Sequence, residues 1–201
     1  MSSEPTEASE ATDDIMCATY RALCRHGYAD LTMQDIADEW DKSKAALHYH
    51  YDTKRGLLLA FLDYLFDQYR RRVADPAGDD ARERLRSFLD ASLAPSDRDA
   101  NQEFQTAALE IRAQSPYVGE FRDRLVELDA FIRRRVRELV AAGVDDGSIG
   151  ADVDPDAAAA TIVTLLDGAH TRRVALDASV EEVQRPLYDY VEGQLAAEGG
   201  E

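Results

Sequence analysis

The residues best suited to chemistry in this 201-residue chain are its three lysines, Lys42, Lys44 and Lys54, which lie within thirteen positions while every other basic residue except histidine is an arginine. Lys42 and Lys44 lie within the run Trp40-Asp41-Lys42-Ser43-Lys44-Ala45-Ala46-Leu47-His48-Tyr49-His50-Tyr51, and Lys54 follows it. Residues 42–55 set Lys42, Lys44, Lys54 and Arg55 against the single carboxylate of Asp52, whereas the whole chain has 40 acidic and 23 basic residues and a formal charge of −17. A cationic island on an anionic protein is the electrostatic footprint of a surface that grips a polyanion. The competing explanation is chance clustering.

Other chemistries find little support. His48 and His50 are two apart, so they do not share a helix face and make a poor metal pair. Cys17 and Cys24 are seven apart in one expected helix, about 10 Å by helical rise, which is too far for a disulfide. They read as buried structural thiols. There is no Gly-rich phosphate loop, no GxSxG, no HExxH and no CxxC, so the sequence points away from an enzyme and implies neither metal nor cofactor.

The elements that must position the lysines read as helices throughout. A first helix is expected from about Asp13 to His26, stopping at Gly27. Its apolar positions Ile15, Ala18, Ala22 and Leu23 follow the helical period. Thr32 as N-cap with Asp35 three residues on has capping-box spacing, and Leu31 with Ile36 forms a hydrophobic staple. That second helix ends near Trp40. After the turn Trp40-Asp41-Lys42, Ser43 caps a third short helix to about Tyr49. Two short helices joined by a tight turn make a helix-turn-helix unit.

A fourth helix from Asp52 or Thr53 to about Arg72 is apolar nearly all round at first and so is buried on several sides. Further helices are expected at 80–93, 98–114, 116–142, 155–176 and 180–196. Ser115-Pro116 and Asp154-Pro155 read as N-cap followed by proline at the first helical position, Ser179 with Glu182 as a capping box, and Gly143 as a helix end. The class is all-α. Residues 1–11 are expected to be a disordered acidic tail, 12–55 a three-helix DNA-binding domain, and 56–196 a helical body.

Hydrophobic residues make up 45% of the chain, enough for a packed core. No apolar run reaches the roughly 20 residues that cross a bilayer, and the acidic N-terminus is no signal peptide. The expectation is a cytoplasmic protein without a membrane partner. Acidic excess with arginine in place of lysine suggests a halophilic source: at about 1 M salt the Debye length is only ~3 Å, which makes such self-repulsion tolerable.

Residues 13–60 resemble the DNA-binding domain of the TetR/AcrR family of transcriptional regulators. The resemblance rests on Gly27, Thr32, Ile36, Ala37, Ser43, Leu47, His50, Tyr51, Lys54 and Leu57. Leu166-Asp167-Gly168 is also similar to the family. The chain departs from it at Trp40-Asp41-Lys42, where the family usually has Ala-Gly-Val, and at His48, usually tyrosine. Asp41 is expected to take the left-handed conformation that glycine supplies there.

A helix in the major groove presents its N-terminal residues to base edges, here Ser43, Lys44, Ala45 and Ala46. Lys44 is placed for guanine acceptors and the alanines for a thymine methyl. His48, Tyr49 and His50 are assigned to phosphates or packing. Lys42 and Lys54 are assigned to phosphates flanking the groove, with backbone donors at the helix starts of Thr32 and Thr53.

The resemblance further implies a homodimer on a palindromic double-stranded operator. Its dimer surface would lie on the last two helices: Ile162, Leu165, Leu166, Ala169, Val174 and Leu176, with Val183, Leu187, Tyr190, Val191 and Leu195. The family also implies repression relieved by a small-molecule effector, in a pocket whose candidate lining is Phe104, Leu109, Arg112, Tyr117, Phe121 and His170. An activator, or a regulator answering to a partner protein, stays open as an alternative.

Overall fold

The structure is a computed structural model that describes residues 7–93 and 109–195, with side chains from residue 11 onward. Its helices are α1 (Glu7–Asp30), α2 (Met33–Trp40), α3 (Lys44–His50), α4 (Lys54–Arg72) and α5 (Ala81–Leu93). The described part of α6 covers 109–114. Then come α7 (Gly119–Asp146), α8 (Pro155–Leu176) and α9 (Val180–Gly193). No strand occurs among the described residues, so the all-α expectation holds. No described helix is long and apolar enough to cross a membrane.

The chain forms two compact units: Met1–Asp67 with Asn101–Arg124, and Gln68–Ala100 with Leu125–Glu201. The first extends beyond the 12–55 expected to read DNA and takes in the first part of α4, α6 and the start of α7. Its core gathers Ile15, Leu23, Ile36, Leu47, Leu57 and Phe61, all buried. Each such apolar side chain contributes about 1.5–3 kcal/mol relative to exposure. Thr19, buried among them, donates its hydroxyl to the Ile15 carbonyl at 2.8 Å, so it carries no unsatisfied donor into the core.

In the second unit α5, α7, α8 and α9 close over Leu85, Phe88, Val136, Ile162 and Leu187. Asp154 caps α8 by accepting from the N–H groups of Asp156 and Ala157, with Pro155 at the first helical position as expected. The Ser179–Glu182 capping box at the start of α9 is also present.

Several expectations need correction. Helix α1 begins at Glu7, so residues 7–11 are helical where a disordered tail was expected; alanine propensity and the acids at the helix start favour this. Residues 1–6 lie outside the described residues. Ser115-Pro116 does not start α7: the chain turns there and the helix begins at Gly119.

Gly143 does not end α7, which runs to Asp146. A Cβ on Gly143 would stand 2.6 Å from Ile149 Cδ1, so the glycine is there for close approach. The turn falls instead at Gly147, with φ of 78°.

The stripes assigned to a dimer surface are largely this chain's own core. Ile162, Leu166, Ala169, Val183, Leu187, Val191 and Leu195 are all buried within one protomer. Only Leu176, 63% exposed, stands well clear. Cys17 and Cys24 are free thiols and only half-buried, each with a contact of its own.

Candidate DNA-reading head

Thr32 starts the head. Its hydroxyl accepts from Asp35 N–H at 3.3 Å, and one Asp35 carboxylate oxygen takes both the Thr32 N–H and the Thr32 hydroxyl at 2.7 Å. Those bonds, the hydroxyl's first and the backbone's second, draw the Asp35 carboxyl below its ordinary range. The far end of α2 is held from α1. Arg21 donates to the Glu39 carbonyl at 2.7 Å and to its carboxylate at 3.2 Å, while Arg25 pairs with the same carboxylate at 2.6 Å.

Helix α2 stops at Asp41, whose φ of 59° and ψ of 31° are left-handed. The Lys42 N–H returns to the Ala37 carbonyl at 3.3 Å. This is a helix-ending turn made without glycine. The chain then re-enters helix at Ser43, whose hydroxyl accepts from Ala46 N–H at 3.1 Å. Helix α3 is pinned by one fully buried side chain, Leu47.

This anchoring turns the rest of α3 outward. Lys42, Ser43, Lys44 and Ala45 are exposed, and Ala46 is half-buried. His48 and Tyr49 are exposed too, Tyr49 at 88%. His50 meets the Trp40 ring edge-on at 5.7 Å and the Tyr49 ring at 5.4 Å. Such aromatic pairs add about 0.5–1.5 kcal/mol beyond burial. Trp40, a departure from the family pattern, thus braces the outward end of α3 from the turn.

Lys54, expected at a phosphate, is engaged within the protein: its ammonium donates to the Tyr28 carbonyl at 2.9 Å and the Leu31 carbonyl at 2.8 Å, and lies 5.0 Å from the Tyr28 ring centroid. Burial lowers its pKa, opposed by the carboxylates of Asp30 and Asp35. The residue ties the start of α4 to the end of α1. Thr53 caps α4 by accepting from Gly56 N–H at 3.0 Å.

Glu110, unremarked in the sequence, accepts the Tyr28 N–H. Its partner is 82 residues away and is a backbone group, so no local pattern could announce it.

The residues expected to line an effector pocket fall in both units. Phe104 lies outside the described residues. Phe121 is core, edge-on to Tyr28 at 6.2 Å. Tyr117 is 84% exposed and Arg112 is exposed, while Leu109 is half-buried. His170 belongs to the second unit, where its ring nitrogen lies 3.2 Å from the Ser92 carbonyl.

A short helix capped by Ser43, set by a left-handed corner against α2 and flanked by two exposed lysines, defines a helix-turn-helix protein with a separate helical body. Residues 15–61 match the model for bacterial regulatory proteins of the tetR family. Residues 81–196 match that for the C-terminal part of BetI-type transcriptional repressors.

The crystal structure of a TetR transcription regulator from Haloarcula marismortui is 40% identical, with a TM-score of 0.86 over 94% of this chain and 99% of that one. A putative transcriptional regulator from Saccharomonospora viridis, solved in complex with choline, is 26% identical, with a TM-score of 0.83 over 94% and 100%. The transcriptional repressor AcnR of Corynebacterium glutamicum is 26% identical across 96% of this chain and 94% of its own. The chain belongs to the TetR family: it is a DNA-binding transcriptional regulator and not an enzyme.

Proposed function

We propose that the protein is a cytoplasmic homodimeric repressor that holds a palindromic operator and leaves it when a small organic effector binds. The observation that carries this is the exposed N-terminal end of α3, where Lys42, Ser43, Lys44 and Ala45 stand clear of the fold while Leu47 alone anchors the helix. Thr32, Lys42, Ser43, Lys44, Ala45, Ala46, His48, Tyr49 and His50 are the proposed DNA contacts. Lys44 reads a base edge and Lys42 a phosphate. Lys54 drops out of the set.

One protomer supplies one reading helix, so a two-fold pair with half-sites a helical turn or a multiple apart reads enough sequence. The support for pairing is the outer face of α8. Thr161, Thr164, Gly168 and Thr171 are exposed there. Each threonine hydroxyl bonds the carbonyl four residues back, at 3.0, 2.8 and 2.9 Å. That face therefore offers methyl groups with their polar partners already satisfied, and a Cβ at Gly168 would meet nothing within 4 Å. Small residues of this kind let a second helix come close.

Footprinting on the gene's own upstream region, with sedimentation of the free protein, tests the reading. A protected palindrome and a dimer support it, while a monomer that protects nothing at its native salt refutes it. Lys44→Ala is expected to weaken operator binding by at least ~1 kcal/mol, as for a lost base contact. Choline is the first effector to try, because the Saccharomonospora relative holds it. The −17 charge and the Haloarcula relative support a salt-rich cytosol.

A further inference from the structure

Helix α1 is broken at Gly27, whose φ of 69° and ψ of 166° are not helical. The Leu31 N–H returns to the Gly27 carbonyl at 3.1 Å, so a single new turn starts there and leads into the Thr32 cap of α2. The first N–H of that turn, at Tyr28, has no partner within the turn and needs an acceptor. Glu110 of α6 supplies it. A Cβ on Gly27 would stand 3.3 Å from both Glu110 oxygens, so the missing side chain lets the carboxylate approach without being pushed back.

The other end of the turn is capped from elsewhere too, by the Lys54 ammonium on the carbonyls of Tyr28 and Leu31. An anion at the start and a cation at the end match the dipole of the turn. The Tyr28 ring lies edge-on to Phe121 of α7. One residue at the entrance to the reading head is thus gripped from α4, α6 and α7 at once. Two of these, α4 and α7, run on along the chain into the second unit.

We propose that Glu110 is a positioning residue for operator recognition: its carboxylate fixes the Gly27–Tyr28 break, and through it the angle at which α2 and α3 meet DNA. This rests on the repressor reading above. A turn without its N-cap acceptor samples several angles, and specific binding must then freeze one of them. Non-specific binding tolerates any of them, because phosphate contacts carry no register.

The test uses full-length protein, Glu110→Ala and Glu110→Gln, a duplex selected by the wild type from a random library, and a scrambled duplex of the same length. In Glu110→Ala the Tyr28 amide should exchange with solvent at least ~10-fold faster, as for an amide whose bond opens locally. Its affinity for the selected duplex should fall about tenfold and its affinity for the scrambled duplex less than twofold, a loss of about five- to tenfold in specificity. Glu110→Gln, which keeps an acceptor oxygen, should recover most of the specific affinity.

Unchanged exchange at Tyr28, or unchanged specific affinity, in Glu110→Ala overturns the proposal. So does an equal loss on both duplexes with loss of helical circular dichroism, which marks a purely structural role. If the wild type selects no duplex, the repressor reading fails, and the amide exchange still reports whether the Glu110 contact is made.

Discussion

The salt dependence of operator binding follows from which cations on the head are free. Arg21 and Arg25 are held by Glu39. Lys54 is held by two carbonyls, and Arg55 lies 3.7 Å from Glu120. Lys42 and Lys44 remain exposed on the reading side, beside the exposed carboxylates of Asp38, Asp41 and Asp52. Two free lysines per protomer make four in a dimer, so the slope of log affinity against log salt should be no steeper than about −3.6.

Raising KCl from about 0.3 M to about 1 M should therefore weaken binding by no more than about 75-fold. The three carboxylates flatten the slope further, since each draws a cation back to the interface. Fluorescence anisotropy of a labelled operator duplex over that range reads the slope, and Lys42→Ala should flatten it by about two. A slope of about −7 or steeper would mean that Lys54 and the arginines leave their partners to reach phosphate, and the reasoning would be wrong.

Three further outcomes are expected. The Asp35 carboxyl titrates below its unfolded value, so its contribution to stability is complete above the unfolded pKa and is lost as pH falls through the folded one; Asp35→Asn should lower Tm near neutrality and flatten its acid decline, as seen by circular dichroism. Gly143→Ala drives a methyl onto Ile149 and should cost about 1–3 kcal/mol in urea melts, whereas a gain in stability would show that the contact yields freely. Gly168→Arg should turn the dimer into a monomer in sedimentation while leaving the helical signal unchanged; a persisting dimer would place the pairing face elsewhere.

What could be read beforehand was local. The Thr32–Asp35 and Ser179–Glu182 boxes, the Ser43 cap, the left-handed Asp41 and the Asp154-Pro155 start depend on residues within four positions of one another, and all are present. What could not be read was set by distant partners. Lys54 answers to backbone carbonyls 23 and 26 residues away, and Gly143 to the side chain of Ile149 across a turn. The apolar stripes of α8 and α9 carried the right residues, but periodicity does not say whether such a stripe meets its own chain or a second copy. The three lysines looked alike in the sequence, and only their surroundings separate the one held by carbonyls from the two that stand exposed.

Asp41 sits where most chains of this kind turn on glycine. A glycine corner leaves the joint between the two short helices loose before DNA arrives; an aspartate in the same twist narrows what that joint can do in the unbound protein. It also leaves an exposed negative charge at the bend. A carboxylate at that corner would oppose any phosphate brought against it, a cost that a glycine corner would not impose.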